Sequence, residues 1–252
     1  MRSKLVVGNW KMHGSDQFCT ELALGIKAGL DGIAEAVEVG VCPPSVYLSK
    51  VIESCRGSSI KIGAQNVSPH EKGAYTGEVA ANMLADLGCD YVLVGHSERR
   101  ELFAESNQDV AEKFAAVQAA GMLPILCVGE TLEHRQQEIT DQVVLAQLDA
   151  VLDRVGIAAF TQAVVAYEPV WAIGTGETAS PEQAQAVHGL LREHIAKQDS
   201  ECAAGLRIIY GGSVKSSNSA ELFAQRDIDG GLVGGASLEA EQFIAICASA
   251  EK

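Results

Sequence analysis

The chain has 252 residues, 47% hydrophobic and 21% charged, with a formal net charge of −14. That length builds one large core or two small ones, and the excess of acid disfavours nucleic acid and anionic membrane surfaces as partners. Any anionic small ligand must then be held locally, by a well-placed lysine or by backbone N–H groups. The opening residues, MRSKLVVGNWKM, lack the apolar stretch of a secretory leader, and no apolar run approaches a membrane span. The expected location is the cytoplasm. Seven cysteines, an odd number without CxxC spacing, fit reduced thiols. Six scattered histidines give no expectation of a metal site.

In chain order, short β-branched runs alternate with amphipathic stretches. KLVVG (4–8) predicts a first strand, followed by Asn9 and Lys11, and VEVGVC (37–42) a second. IKIGAQ (60–65) gives a third, with Gln65 and Asn66 at its exit, and YVLVGH (91–96) a fourth ending on His96. A helical pattern covers 107–120. LPILCVG (123–129) is a fifth strand, with Glu130 beyond it, and 139–155 is helical again. AVVAYE (163–168) closes on Glu168, a carboxylate at the end of a buried-looking run. After it come Pro169, an aromatic, two glycines and a well-signalled helix over 181–198. There Ser180 is the N-cap, Pro181 takes N1, Gln183 closes a capping box, and Val187, Leu190, Leu191 and Ile195 share one face. RIIYGG (207–212) leads into Ser213, and GLVGG (231–235) supplies Gly234 and Gly235.

These strands are continuous apolar runs rather than alternating ones, the pattern of a parallel sheet covered by helices. Eight strand–helix units in this length predict an α/β protein, a single (β/α)8 barrel spanning 1–252. A doubly wound open sheet is the alternative, but its GxGxxG turn after the first strand is missing here. In a barrel the active site lies at the C-terminal ends of the strands. Asn9, Lys11, Gln65, Asn66, His96, Glu130 and Glu168 and the glycine pairs all exit on that face. Each has a plain alternative taken singly: a solvated lysine, a core histidine, an ordinary turn. Their convergence carries the weight, and the two late glycine pairs sit where barrels build phosphate sites from N–H groups.

GNWKMHG, YVLVGHSERR, AYEPVWAIGTGETASPE, IIYGGSV and GLVGGASL, in this order along the chain, resemble the triosephosphate isomerase family, whose fold is the TIM barrel. The resemblance implies interconversion of dihydroxyacetone phosphate and glyceraldehyde 3-phosphate through an enediolate, with neither metal nor cofactor. It implies Glu168 as the base, His96 as the electrophile, and Lys11 with Asn9 as the polar pair balancing charge on the substrate. Glu98 then supports the lysine region. Gly174, Ser213, Gly234 and Gly235 are the implied backbone donors to the phosphate, and Cys127 a packing residue beside the base. Ala172 to Gly176 become a mobile lid tip, with Pro169 stiffening its hinge and Val170 and Trp171 anchoring it. This family is the standing illustration of a glutamate base beside a histidine kept neutral by a helix N-terminus, so the helix starting at Ser97 is expected to lower the pKa of His96.

The resemblance also implies a homodimer, made by inserting the long loop QNVSPHEKGAYTGE (65–78) into a neighbouring subunit, where Thr76 approaches the partner's Asn9–Lys11 region. His13 and Glu177 depart from the family, standing where many members have asparagine and lysine. The alternatives are another sugar-phosphate barrel enzyme, which lacks YEPVWAIGTG, and a silent phosphate-binding scaffold, expected to have lost Lys11, His96 or Glu168.

Overall fold

The computed structural model describes residues 2–30, 33, 36–175 and 177–251. Eight parallel strands close on themselves in sequence order. They are β1 (Lys4–Asn9), β2 (Val37–Cys42), β3 (Lys61–Ala64), β4 (Tyr91–Val94), β5 (Leu123–Val128), β6 (Val164–Tyr167), β7 (Arg207–Tyr210) and β8 (Gly230–Val233). Closure is made by β1 pairing β8, with Leu5 opposite Gly230 and Gly8 opposite Val233.

Outside the barrel lie α1 (Asp16–Gly29), α2 (Leu48–Cys55), α3 (Ala81–Leu87), α4 (Ser97–Leu102), α5 (Asn107–Ala119) and α6 (Leu132–Gln136). The ring continues with α7 (Thr140–Val155), α8 (Pro181–Ala196), α9 (Ser200–Gly205), α10 (Ser219–Phe223) and α11 (Ala240–Ser249). The capping signals act as the sequence suggests: Ser180 Oγ accepts from the Gln183 N–H while the Gln183 side chain accepts from the Ser180 N–H. Among the described residues no helix is long and apolar enough to cross a membrane.

The apolar side chains form two layers, which explains why the strands read as unbroken runs. Leu5, Val7, Tyr91, Leu93, Ile125, Val164, Ala166, Ile209 and Leu232 fill the barrel interior. Their strand neighbours, such as Val6, Val92, Leu126, Val165 and Ile208, pack outward against the helices. Both faces of each strand are therefore buried, and burying one such side chain contributes about 1.5–3 kcal/mol.

The strand ends differ from the sequence reading in a way that matters for the site. His96 and Glu168 do not end their strands: β4 stops at Val94 and β6 at Tyr167. β7 and β8 likewise end before their glycine pairs. Gly95 turns the chain with φ +71°, which leaves His96 as the N-cap of α4. His96 and Glu168 thus stand just past the ends of their strands, with Glu168 still tied to the sheet by its N–H, which donates to the Val128 carbonyl at 2.8 Å.

Candidate active site

Glu168 and His96 meet at the C-terminal mouth of the barrel. Glu168 Oε1 lies 2.9 Å from His96 Nε2, and both residues are buried. The other carboxylate oxygen, Oε2, accepts the backbone N–H of Ser97 at 2.9 Å, and the Ser97 hydroxyl donates to Oε1 at 3.3 Å. Sequence reasoning missed Ser97; the available signal was its place at the first turn of the helix that His96 caps. Close approach from behind is permitted by Gly211, where a Cβ would lie 2.9 Å from Glu168 Cγ.

The histidine's Nδ1 accepts the Glu98 N–H at 3.3 Å, so Nε2 carries the proton and points at Glu168. Burial by itself lowers the imidazole pKa. The charge of Glu168 and its hydrogen bond, with help from Glu98, outweigh that and leave the pKa above its ordinary value. This corrects the expected depression: in the resting site a carboxylate sits on the ring. For Glu168, burial raises the pKa, while His96, the Ser97 N–H and Lys11 more than offset it and hold the carboxyl below its usual range. Cys127 packs against the base inside the barrel, and burial pushes its thiol far up, so it offers no thiolate.

Lys11 adopts φ +49°, a conformation that costs a residue with a Cβ on the order of 1 kcal/mol and is tolerated where function demands it. Three contacts enforce it. The Lys11 N–H donates to Asn9 Oδ1 at 3.0 Å, Gln65 Nε2 donates to the Lys11 carbonyl at 2.8 Å, and Lys11 Nζ forms an ion pair with Glu98. Gln65 also donates to the Cys42 carbonyl at 2.8 Å, tying the exits of β1, β2 and β3 together. Glu98 thus reaches both Lys11 and, through its N–H, His96.

A cleft of about 470 Å³ opens in front of these groups. Gly174, Ser213, Gly234 and Gly235 all line it, together with Asn9, Lys11, His96 and Glu168. Gly211 and Gly212 join them, and a 3-10 turn over Gly235–Leu238 starts at the same wall. N–H groups of such turns suit a phosphate. His13, one of the two departures, is exposed and lines the same cleft. Glu177, the other, is exposed and donates its N–H to Thr175 Oγ1.

The segment leading from Glu168 to the expected lid tip is anchored through Glu130, fully buried. Its Oε1 accepts from Trp171 Nε1 at 2.8 Å, from the Tyr167 hydroxyl at 3.1 Å and from Arg135 at 3.3 Å. The Arg135 guanidinium lies over the Trp171 ring, 4.6 Å from its centroid. Of the expected lid tip, Gly176 lies outside the described residues; Ala172 is buried and Gly174 exposed at φ +71°.

The chain also matches known proteins along nearly its whole length. The family model described as triosephosphate isomerase matches residues 4–250. A relative of that name from Thiobacillus denitrificans is 60% identical over 252 residues, covering 100% of both chains. One from Alcanivorax borkumensis is 59% identical over 250 residues, 99% of each chain. Another from Dechloromonas aromatica is 59% identical over 250 residues, 99% of this chain and 100% of its own. A closed eight-stranded barrel with a histidine–glutamate pair at its mouth and a match running from β1 to α11 lead to one assignment: the chain belongs to the triosephosphate isomerase family.

Proposed function

We propose that this protein interconverts dihydroxyacetone phosphate and D-glyceraldehyde 3-phosphate, by proton transfer through an enediolate and without a cofactor. It acts in glycolysis and gluconeogenesis in the cytoplasm, as one barrel domain over 1–252. The observation that carries the chemistry is the 2.9 Å contact between Glu168 and His96 beside Lys11 and the glycine-lined cleft. A base, an imidazole N–H donor, a cation and a glycine-lined cleft lie together at the barrel mouth.

The phosphate is held by the N–H groups of Gly174, Ser213, Gly234 and Gly235, with the charge of Lys11 alongside. The carbonyl oxygen takes the Nε2–H of His96, the place Glu168 fills at rest, and Asn9 and Lys11 face the same oxygen. Displaced from His96 and Ser97, Glu168 loses the contacts that lower its pKa and keeps the burial that raises it. It becomes a stronger base as it reaches the substrate carbon. It removes the proton, His96 stabilises the oxyanion, and the same carboxyl returns the proton to the neighbouring carbon. Turnover of glyceraldehyde 3-phosphate, followed by NADH oxidation with glycerol-3-phosphate dehydrogenase in the presence of a chelator, tests this. No turnover under those conditions refutes it.

The active unit is a homodimer joined through loop 65–78. Tyr75 near the loop's tip is half exposed and stacks on His70 at 3.9 Å. Elsewhere on the same face, Met12, Leu102 and Phe103 are exposed around a cavity of about 660 Å³ that Lys11 and Glu98 also line. Apolar side chains gathered beside an essential lysine want a cover that also excludes water. A fully active, monodisperse monomer in analytical ultracentrifugation with parallel assay would overturn this.

A further inference from the structure

Arg100 is a partly buried cation near the site that forms no ion pair among the described residues. Its neighbour Arg99 pairs with Glu105, as does Lys113. Arg100, half-buried, spends its donors on three acceptors from three elements. Nε donates to the Gly95 carbonyl at 2.8 Å, Nη1 to Asn107 Oδ1 at 2.7 Å and Nη2 to the Cys127 carbonyl at 3.2 Å. Withdrawing a cation from water without an acid partner is costly. A clamp between strands could be built from a neutral side chain.

What the guanidinium touches suggests its use. Gly95 immediately precedes His96, and a Cβ at Gly95 would lie 2.8 Å from Arg100 Nη2 and from Val110 Cγ1. The peptide leading into His96 is therefore wedged between the guanidinium and α5. Cys127, the second carbonyl held, belongs to β5 and packs against Glu168. The arginine also senses the base directly: burial lowers its pKa, while Cys127 and Glu168 act the other way.

We propose that Arg100 is a positioning residue for the proton-transfer pair. It locks the Gly95–His96 peptide to the β5 wall and so fixes the imidazole against Glu168, with its positive charge on the Cys127 carbonyl beside the base. The other charged or titratable groups facing the pair are Lys11 from the β1 exit, Glu98 from α4 and Cys127 from β5. Lys215 and Glu239 line the cleft beyond β7 and β8. Of these, Arg100 alone is a cation held against the backbone rather than against substrate or a carboxylate. This role presupposes the isomerisation proposed above.

Three variants separate the fork from the charge. Arg100→Lys keeps the cation and loses the three-way clamp, and Arg100→Met loses both. Asn107→Ala loosens the guanidinium without removing it, and remains informative if Arg100→Met fails to fold. Expected for Arg100→Lys is a drop in kcat on the order of tenfold to a hundredfold, with KM changed less than about twofold, since misplacement near 1 Å costs up to ~10²-fold. Asn107→Ala gives a smaller drop of the same kind. In Arg100→Met the acid limb of kcat/KM moves to higher pH by on the order of half a unit or more, because the cation no longer disfavours protonation; in Arg100→Lys the limb stays. The substrate's own titration is common to all arms and cancels. Folded variants with wild-type kcat and unshifted limbs, differing only in melting temperature, would reduce Arg100 to a structural clamp and overturn the proposal. Nitrogen-15 titration of His96 gives a readout independent of turnover: its pKa rises in Arg100→Met if the inference holds and stays put if it does not. Wild-type protein without isomerase activity would instead indict the proposed reaction.

Discussion

Gly211→Ala probes the base without touching its chemistry. Gly211 does not need a left-handed conformation, so alanine fits the backbone. Its Cβ, however, would lie 2.9 Å from Glu168 Cγ and 3.2 Å from the Tyr167 carbonyl oxygen. The carbonyl cannot retreat, because it accepts the Gly211 N–H at 2.7 Å. Glu168 must give way by several tenths of an ångström. Overpacking of this kind costs about 1–3 kcal/mol, offset by about 0.4–1 kcal/mol from the stiffer unfolded chain. For a chain of this size that predicts a fall in melting temperature of up to about 10 °C. The larger effect is on turnover. A carboxylate held off its productive geometry by a fraction of an ångström loses on the order of tenfold to a hundredfold in rate, and the phosphate donors stay in place. The coupled assay should therefore show kcat falling with KM nearly unchanged, and circular dichroism should show a folded barrel. Wild-type kcat, or a loss confined to KM, would refute the claim that this wall sets the position of Glu168.

Further outcomes follow from the same geometry. Lys11→Met should weaken substrate binding and transition-state stabilisation together, by several kcal/mol in total, because a protein at −14 offers no long-range attraction to an anion; unchanged kinetics would make Lys11 a surface residue. His188 on α8 is fully buried, and desolvation pushes its pKa down to about 4. The unfolded chain, with imidazole near pH 6.5, binds that proton first. His188 thus contributes its full stability, about 3 kcal/mol, above roughly pH 6.5 and loses it as pH falls through about 4; denaturation of His188→Gln across that window should be flatter than wild type. Excising Ile173 to Gly176 should leave the barrel folded, slow isomerisation and raise phosphate and methylglyoxal released per substrate consumed, as the unshielded enediolate eliminates. A folded, slow variant with no extra phosphate would limit the lid to a role in rate.

Much of the site was legible because it lies where strands end. Lys11, His96, Glu168 and the glycine pairs each interrupt an apolar run, and barrel architecture brings such interruptions to one face. Helix boundaries were legible from local capping chemistry, as at Ser180 and Gln183. What stayed hidden depends on contacts between distant elements. Ser97 meets Glu168 across 71 positions, Gln65 reaches Lys11 across 54, and Arg100 reaches Cys127 across 27. Nothing in the local pattern signals such pairings. The same reason inverted the expected pKa of His96: the helix after it is read from the next four residues, whereas the carboxylate that reverses the balance arrives from the loop just past β6.

The central claim is that Glu168 moves a proton between two carbons through an enediolate. It is tested most directly by running the reaction with glyceraldehyde 3-phosphate in deuterated buffer and following the product by proton NMR. An enediolate whose proton rests on a carboxylate exchanges with solvent, so deuterium should appear on carbon 1 of dihydroxyacetone phosphate. Glu168→Gln should lose turnover and deuterium incorporation together. Product formed at full rate without deuterium would mean direct hydride transfer between the carbons, and would contradict the account.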